Sequence, residues 1–316
     1  MTEQQKPSIL ILGGTGFVGR HLAAELSDRG YRLRLLTRYK PATRDLWVLP
    51  GVEVRQADMY DRETLEHHLQ GCQAAINLVG ILNERGRSGK GFRRAHVELT
   101  DTLLQAMVNT GVRRYLHMSA LNAGQGKSHY LNSKGEAEVQ VQQAAASDGI
   151  EPTIFQPSVI FAPDDSFFNR FAGLLKLAPL GLPLACASSR FQPVWVGDVV
   201  RAFAAALERP GTIGQTYQLG GPTQYSLGEL VNLTAKWNGW RRRAIPIPRL
   251  LARIQALLFD FSPIKPFSSD NYHSLQIDSV VSGEDGLKQL GIEPRSVESI
   301  MPAYFAGEQQ SNPDAA

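Results

Sequence analysis

Short apolar runs alternate with amphipathic stretches along the first half of the chain. Residues 9–12 (ILIL) and 74–79 (AAINLV) are hydrophobic at almost every position, which is typical of strands buried on both faces. The stretches between such runs repeat their apolar residues at helical spacing. Strands that alternate with helices predict an α/β fold, in which a doubly wound parallel sheet lies between two layers of helices.

The same pattern gives the bounds of the individual elements. Strands are predicted at Ser8–Leu12, Arg32–Thr37, Val52–Gln56, Ala74–Val79, Arg114–Met118 and Thr153–Phe161. Helices are predicted at Gly19–Arg29, Arg62–Leu69, Ala95–Asn109 and Lys134–Ser147. A short strand and a helix are expected in residues 194–210, and one more strand in residues 216–221.

The alternation stops after Phe161. Residues 162–188 are rich in proline, aromatic and apolar residues, and the chain from Ser226 onward reads as mostly helical with breaks at prolines. The predicted organisation is a first domain at 7–160, completed by about 191–221, and a smaller, mostly helical C-terminal lobe. The lobe consists of residues 161–190 and 222–306, and the polar residues 307–316 are predicted to be a disordered tail.

A glycine-rich turn follows the first predicted strand. Gly13, Gly16 and Gly19 form the pattern G-x-x-G-x-x-G directly before a helix, where a dinucleotide pyrophosphate can rest on helix N–H groups. In this context the pattern predicts a Rossmann-type nucleotide site, the alternative being a tight turn without a ligand. The residues expected to bind the cofactor here are Gly13, Thr15, Gly16, Phe17, Val18 and Gly19.

The end of the second predicted strand indicates which dinucleotide is bound. An acidic residue at that position would bind the ribose hydroxyls of NAD, but the sequence LRLLTRYK has none. Arg38 can instead grip a 2′-phosphate, with Arg20 and Lys40 as helpers, so we predict that NADP(H) is preferred over NAD(H). A solvated basic loop is the alternative. Asp58 is a candidate for the adenine amino group or a cap of the following helix.

Tyr130 and Lys134 stand four residues apart in SHYLNSKGEAE, so on one helix they share a face. A tyrosine becomes a useful acid–base group when a neighbouring ammonium favours its phenolate. The same ammonium can hold the nicotinamide ribose. The pair therefore predicts proton transfer beside a nicotinamide.

Several motifs resemble those of the short-chain dehydrogenase/reductase superfamily, namely GGTGFVG, AINLVG, YLHMSA, YLNSK and FQPSVIFAP. The segment FQPVWVGDVV is similar to the extended, epimerase-like or atypical branch of that superfamily. RYLHMSAL, SHYLNSKGEAE and the late segment FSSDNYHSLQIDSVVSGEDGLKQLGI together resemble the family of the nucleotide-binding accessory subunit of respiratory complex I and its bacterial relatives.

The resemblance implies roles for further residues. It implies that Tyr130 and Lys134 are the catalytic pair, and that further cofactor contacts come from Leu78, Val79, Gly80, Pro157 and Ser158. Relatives usually place a serine where Ala120 stands, to polarise the substrate carbonyl, and Ser119 stands one residue early. Glu98 stands where many relatives carry Asn. Ser119 is kept as the third candidate catalytic residue, and binding of NADPH with slow turnover is expected.

Composition excludes several other classes. The net charge of +3 is too small to argue for nucleic acid. Cys72 and Cys186 lie far apart with no second ligand at metal spacing, so no disulfide or metal site is predicted and a reducing cytoplasm is expected. There is no apolar run of membrane-spanning length and no signal-like N-terminus.

An arginine-rich amphipathic stretch lies in the C-terminal lobe. Leucine and isoleucine recur at helical spacing in the helix around 249–259, with arginines on or just before it. Such a helix either packs its apolar stripe on the lobe or rests on a partner or an anionic membrane surface. The second reading would place the protein at the inner face of a membrane.

We therefore expect an NADP(H)-binding atypical dehydrogenase/reductase with weak or specialised oxidoreductase activity, acting on a small-molecule or quinone-like ligand in respiratory or quinone metabolism. Two alternatives remain open. One is a nucleotide-sugar epimerase or dehydratase, and the other is a non-catalytic accessory or assembly protein of complex I stabilised by NADPH. The apolar residues 171–189 disfavour a sugar nucleotide, since Lys176 and Arg190 are the only obvious anchors for its pyrophosphate.

Overall fold

The structure is a computed structural model that describes residues 7–84, 86–260 and 267–311. The chain divides into two compact units. The first unit comprises Met1–Gln125, His129–Gln156 and Val200–Tyr217, and the second comprises Gly126–Ser128, Pro157–Val199 and Gln218–Ala316.

The strands are short and most belong to one sheet. In chain order they are β1 Ser8–Leu12, β2 Arg32–Thr37, β3 Val52–Gln56, β4 Cys72–Asn77, β5 Arg114–Met118, β6 Glu151–Pro157, β7 Ile160–Phe161, β8 Leu182–Leu184, β9 Arg190–Phe191, β10 Val194–Trp195, β11 Thr216–Leu219, β12 Tyr225–Ser226 and β13 Ala244–Pro246.

The helices in chain order are α1 Phe17–Asp28, α2 Arg62–Leu69, α3 Lys90–Arg93, α4 Leu99–Thr110, α5 His129–Ser147, α6 Phe167–Leu177, α7 Val196–Glu208, α8 Leu227–Trp237, α9 Arg249–Phe259, α10 Ser269–Ser274, α11 Gly286–Gln289 and α12 Val297–Ser311. Lys40–Val48 and Pro210–Thr212 are 3₁₀ segments, and a π-helical segment, Arg94–Glu98, joins α3 to α4.

The main sheet has seven strands in the order β11-β6-β5-β4-β1-β2-β3. The pairings from β6 through β3 are all parallel. The predicted doubly wound α/β fold of the Rossmann type is therefore confirmed. Strand order reverses between β1 and β4, and sheets of this kind bind ligands beyond the carboxyl ends of the strands at such a point.

Three elements differ from their predicted bounds, and a local hydrogen bond explains the first difference. The predicted strand at 74–79 ends at Asn77, because the Asn77 Oδ1 atom accepts the N–H of Val79 at 3.0 Å and turns the chain. The predicted strand at 153–161 is split into β6 and β7. The predicted helix at 134–147 begins earlier, at His129, so it includes Tyr130.

One face of the sheet in the first unit packs against α2, α4 and α5. Leu10 and Tyr115 on the sheet, with Leu65, Leu103 and Val141 on the three helices, are fully buried in one cluster. This burial removes the apolar faces of the helices from water, which is the main favourable contribution to folding. The carboxyl ends of β1, β4 and β5 are thereby fixed relative to α5.

The second unit has its own aromatic core. Phe161 and Phe168 pack with Met301 and Phe305, and Phe168 also contacts the Trp237 ring. Three two-stranded sheets, β7–β10, β9–β12 and β8–β13, connect its segments. A capping box at Ser226 and Glu229 begins α8 by pairing backbone N–H groups that the first helical turn leaves unsatisfied.

Helix α9 does not bury its stripe of large apolar residues, as an amphipathic helix in a globular protein usually does. Ala252 and Ala256 are the buried residues of the helix, each 1% exposed. Its leucines and isoleucine are exposed, with values of 71% for Leu250 and 67% for Leu258. The reading in which this stripe packs on the lobe is therefore wrong, because the small alanine side chains provide the contact and the large apolar side chains face water.

The last helix, α12, extends into the segment that was predicted to be a disordered tail. Residues 307–311 continue α12, so the predicted tail is helical there, and residues 312–316 lie outside the described part of the chain. Among residues 7–84, 86–260 and 267–311, no group of three potential metal-ligating side chains is found. Within the same ranges, no helix has the length and apolar character needed to cross a bilayer.

Candidate dinucleotide site

The glycine turn lies between β1 and α1, and its three glycines meet different constraints. Gly13 has φ +76°, in the left-handed region that favours glycine, and a Cβ there would lie 3.0 Å from the backbone of Leu78 and Val79. A Cβ at Gly19 would lie 2.2 Å from the Gly13 carbonyl oxygen. Protein packing therefore requires both residues to be glycine.

Gly16 is less constrained than Gly13 and Gly19, because its φ is not in the left-handed region and one tight contact would meet a Cβ there. Among the described residues, only the Gly13 carbonyl oxygen lies within 4 Å of a Cβ placed there, at 3.2 Å. Gly16 is the N-cap residue of α1, the first turn of α1 contains Phe17 and Val18, and no acidic residue stands in that turn. The backbone N–H groups at the start of α1 are therefore a candidate phosphate-binding site.

Arg38 follows β2 and is exposed, as a residue that grips a phosphate must be. Burial raises the pKa of Tyr60, and the positive charges of Arg94 and then Arg38 oppose that rise. The Arg94 guanidinium stacks over the Tyr60 ring at 4.6 Å. Arg38 and Arg94 thus lie on one side of the first unit, and sequence reasoning did not single out Arg94.

The predicted helpers of Arg38 have other positions. The Arg20 guanidinium pairs with Asp45 and donates to the carbonyl oxygen of Thr15 at 3.0 Å. The Arg20 guanidinium is therefore already paired with a carboxylate and is less available to bind a phosphate. The side chain of Lys40 lies outside the described part of the structure.

Asp58 is exposed in the turn after β3 and accepts the Tyr60 N–H at 2.9 Å. The cap of α2 is Asp61, whose carboxylate accepts the Thr64 N–H at 3.0 Å. The alternative role of Asp58 as that cap is therefore wrong. Its role as the adenine contact stays a prediction.

Lys134 is buried, with 3% of its surface exposed, and lies at the carboxyl ends of β4 and β5. Its ammonium donates to the Met118 carbonyl at 2.9 Å and approaches the Val79 carbonyl at 3.5 Å. Burial lowers the pKa of Lys134 to about 8, against the opposing influence of Glu138. A Cβ at Gly80 would lie 3.6 Å from the Lys134 Nζ atom, so this turn and the ammonium are in contact.

Tyr130 precedes Lys134 by one turn of α5 and is half-buried. Its ring contacts Phe92 and His96 edge-on, with ring centroids 6.0 and 5.6 Å apart. The structure therefore brings the predicted pair to one end of α5, with the phenol ring held by two further rings.

Ser119 follows β5 and is 3% exposed. Its N–H donates to the Phe155 carbonyl at 2.7 Å, while its Oγ atom has no hydrogen-bond partner among the described residues. A buried hydroxyl without a partner is unfavourable and is commonly satisfied by a ligand or a water. Ala120, also buried, can supply no hydroxyl.

His96 is a second residue that sequence reasoning missed. The π-helical segment buries His96 and leaves Glu98 exposed, so His96 and not Glu98 points inward at this turn. Burial, followed by the charges of Lys134 and His117, lowers the pKa of His96 to about 2. His96 stands between two buried apolar residues, Ala95 and Val97, but a regular helical repeat does not indicate that its own side chain is buried.

Pro157 and Ser158 belong to the second unit. The Ser158 N–H donates to the Leu219 carbonyl at 2.9 Å, and its hydroxyl donates to the Ser279 carbonyl at 2.7 Å. The Ser158 side chain therefore connects segments of that unit. A nicotinamide contact by Pro157 and Ser158 stays a prediction.

The family model for the NAD dependent epimerase/dehydratase family matches residues 9–220. The chain belongs to this family, whose members bind a nicotinamide dinucleotide, and its resemblance to the short-chain dehydrogenase/reductase superfamily is confirmed.

Two relatives and one solved structure define the likeness further. The chain is 30% identical to the NADH dehydrogenase [ubiquinone] 1 alpha subcomplex subunit 9, mitochondrial, of Rattus norvegicus, covering 91% of this chain and 77% of that protein. It is 26% identical to the sterol demethylase protein B of Methylococcus capsulatus, covering 91% and 94%. The fold matches dTDP-glucose 4,6-dehydratase of Streptomyces venezuelae with NAD and TYD bound, at TM-score 0.75, 19% identity and coverage of 97% and 98%.

Two buried histidines of the first unit predict how stability changes with pH. Burial, followed by the charge of Lys134, lowers the pKa of His117 to about 3, and the pKa of His96 is lower still. In the unfolded chain both groups titrate near pH 6.5, so below that pH the unfolded state binds protons that the folded state does not. As the pH is lowered from about 6 to 4, we therefore expect the free energy of unfolding to decrease. The decrease should be up to about 1.4 kcal/mol per pH unit for each histidine.

Urea unfolding of wild type, His117→Asn and His67→Asn between pH 7.5 and 4.5 measures this slope. Carboxylates titrate alike in all three proteins, so differences in slope report the histidines. His67 is exposed on α2 and serves as the control. A His117→Asn slope equal to that of wild type would contradict the assignment.

Proposed function

We propose that the protein binds NADP(H) tightly and turns it over slowly as an atypical dehydrogenase/reductase, in respiratory-chain or quinone metabolism. The observation that carries the proposal is the buried Lys134 ammonium beside Gly80, with Tyr130 one helical turn away and Ala120 in place of a serine. The residues needed to hold a nicotinamide ribose are present, and one donor for a substrate carbonyl is lacking.

The residues present fit a dinucleotide from end to end. Gly16 leaves space at the start of α1, and Arg38 offers a cation after β2. Lys134 has a third ammonium hydrogen beyond its two carbonyl contacts, and a ribose hydroxyl can accept it. When bound, the nicotinamide supplies or accepts a hydride at C4.

The protein's own part in a reaction is proton transfer and orientation. The Lys134 ammonium favours the phenolate form of Tyr130, which then exchanges a proton with a substrate hydroxyl or carbonyl oxygen. The Ser119 hydroxyl, which lacks a partner among the described residues, is the available donor to that oxygen. Because Ser119 precedes the usual position by one residue, carbonyl polarisation is weakened and turnover is slow.

The relatives favour a second candidate function, that of a non-catalytic accessory protein. The relative from rat is by its name a subunit of NADH dehydrogenase [ubiquinone]. A protein that carries NADPH as a stabilising ligand would keep Gly16 and Lys134 and tolerate Ala120. Turnover measurements with quinones, ketones and UDP-glucose separate this role from slow catalysis and from sugar-nucleotide chemistry.

We further propose that α9 rests on an anionic lipid surface at the inner face of a membrane. Leu250, Leu251, Ile254, Leu257 and Leu258 are between 40% and 71% exposed, and Arg249 and Arg253 are exposed on the same helix. The helix contains no acidic residue. Exposed apolar side chains flanked by arginines suit the boundary between anionic headgroups and acyl chains.

The NADP preference is tested through Arg38. We expect wild type to bind NADPH more tightly than NADH, and Arg38→Ala to weaken NADPH binding about 10- to 100-fold while leaving NADH nearly unchanged, because a charge-assisted phosphate contact contributes about 1.5–3 kcal/mol. Titration by calorimetry or fluorescence measures both affinities. Arg44→Ala removes a nearby exposed positive charge as the control. Preference of wild type for NADH, or an unchanged preference in Arg38→Ala, would refute the assignment.

The variants Tyr130→Phe and Lys134→Met distinguish binding of NADPH from catalysis. Tyr130→Phe should bind NADPH as wild type does and lose any turnover, because only the hydroxyl is removed. Lys134→Met should weaken NADPH binding about 10-fold, since the ribose loses a charged donor. Stopped-flow and steady-state assays measure both. Wild-type turnover of a carbonyl or quinone at about 1–10³ per second would overturn the slow-turnover proposal.

The lipid surface is tested by vesicle co-sedimentation. Wild type should bind vesicles with anionic lipid at low salt and be released by high salt, because the attraction is electrostatic. Leu251→Gln/Leu258→Gln should lose binding, whereas Val139→Gln, which changes an exposed apolar residue on α5, should not. No binding, or binding indifferent to lipid charge, removes the proposal, and dimerisation lost in the double variant would assign the surface to a second copy.

A further inference from the structure

His96 connects two segments of the first unit that the proposed cofactor would contact. Its Nε2 atom accepts the Ile81 N–H at 3.3 Å, directly after Gly80. Its Nδ1 atom lies 2.8 Å from the Ser133 Oγ atom, and the Ser133 hydroxyl donates to the Tyr130 carbonyl at 2.8 Å. A chain of three hydrogen bonds thus runs from the turn after β4 to the first turn of α5.

The directions of these hydrogen bonds are fixed by their chemistry. A neutral imidazole has one N–H, and Nε2 is an acceptor here, so the proton is on Nδ1. The Ser133 hydroxyl donates its only hydrogen to Tyr130, so its oxygen accepts from Nδ1. A protonated ring could not accept the Ile81 N–H, and the neighbouring charge of Lys134 opposes protonation.

The contacts of His96 converge on the predicted nicotinamide end of the site. A Cβ at Gly80 would lie 3.8 Å from the His96 Nε2 atom and 3.6 Å from the Lys134 Nζ atom. The His96 ring also meets the Tyr130 ring edge-on. His96 lies on the π-helical segment Arg94–Glu98, and π-helical turns occur frequently at functional sites.

We propose that His96 is a positioning residue that joins the Gly80–Ile81 turn to the Tyr130 end of α5, so that the nicotinamide half of the cofactor meets Tyr130 and Lys134 in one geometry. This proposal rests on the proposed binding of NADP(H). It assigns His96 no direct contact with the cofactor and no effect on the adenosine half, which the glycine turn and Arg38 would hold.

The test compares NADPH with adenosine 2′,5′-bisphosphate, which has the 2′-phosphate but no nicotinamide. His96→Phe keeps an aromatic ring beside Tyr130 and removes both hydrogen bonds. We expect the dissociation constant for NADPH to rise about 10-fold, as the loss of one or two hydrogen bonds implies, and that for the bisphosphate to stay within about 2-fold. A purely structural role would change both affinities alike.

Ser133→Ala provides a milder second variant, which removes one acceptor and should reproduce part of the NADPH effect. The effect of Ser133→Ala should vanish in a His96→Phe background, because the two side chains act through one hydrogen bond. His117→Phe replaces another buried histidine and should leave the ratio of the two affinities unchanged.

The outcomes separate the two proposals. Equal changes for both ligands, or no change for NADPH, would overturn the role of His96 while leaving NADPH binding intact. Wild type that binds neither ligand would overturn the proposed cofactor function, and the role of His96 with it.

Discussion

One buried cation fixes the arrangement of the candidate site. The Lys134 ammonium is removed from water, which is unfavourable for a charge, and the Met118 and Val79 carbonyls partly replace its hydration. Met118 is the last residue of β5 and Val79 lies two residues beyond β4, so the Lys134 side chain connects two neighbouring strands to α5. Burial lowers the pKa of Lys134, and an additional acceptor near the ammonium would raise that pKa.

The sequence predicted the main sheet well because its information is local. Strands β1, β2, β3 and β5 have the predicted bounds, since short segments of apolar or alternating apolar residues between turn residues leave few alternatives. The glycine turn was equally readable, because the residues that crowd Gly19 lie within the same turn. The placement of Tyr130 and Lys134 on one face of a helix could be predicted from their spacing of four residues alone.

The remaining features depend on contacts that sequence spacing does not encode. A π-helical turn shifts the helical phase, so the inward direction of His96 could not be read from a regular repeat. The sequence repeat correctly predicted that α9 is a helix, but not which of its faces is buried. The buried face is the one that carries Ala252 and Ala256. The use of Ser158 within the second unit depends on Ser279, more than a hundred residues away in the chain.

The glycines in the turn after β1 differ in how freely evolution can substitute them. Gly19 is demanded by the Gly13 backbone, so any descendant that keeps the fold must keep it, whether or not it retains a nucleotide. Gly16 has ordinary extended backbone angles, and a Cβ there would meet the Gly13 carbonyl oxygen at 3.2 Å, which a shift of a few tenths of an ångström relieves. A chain that does not bind a nucleotide would therefore accept a small side chain at position 16, after a slight shift of the Gly13 carbonyl, before it accepted one at position 19.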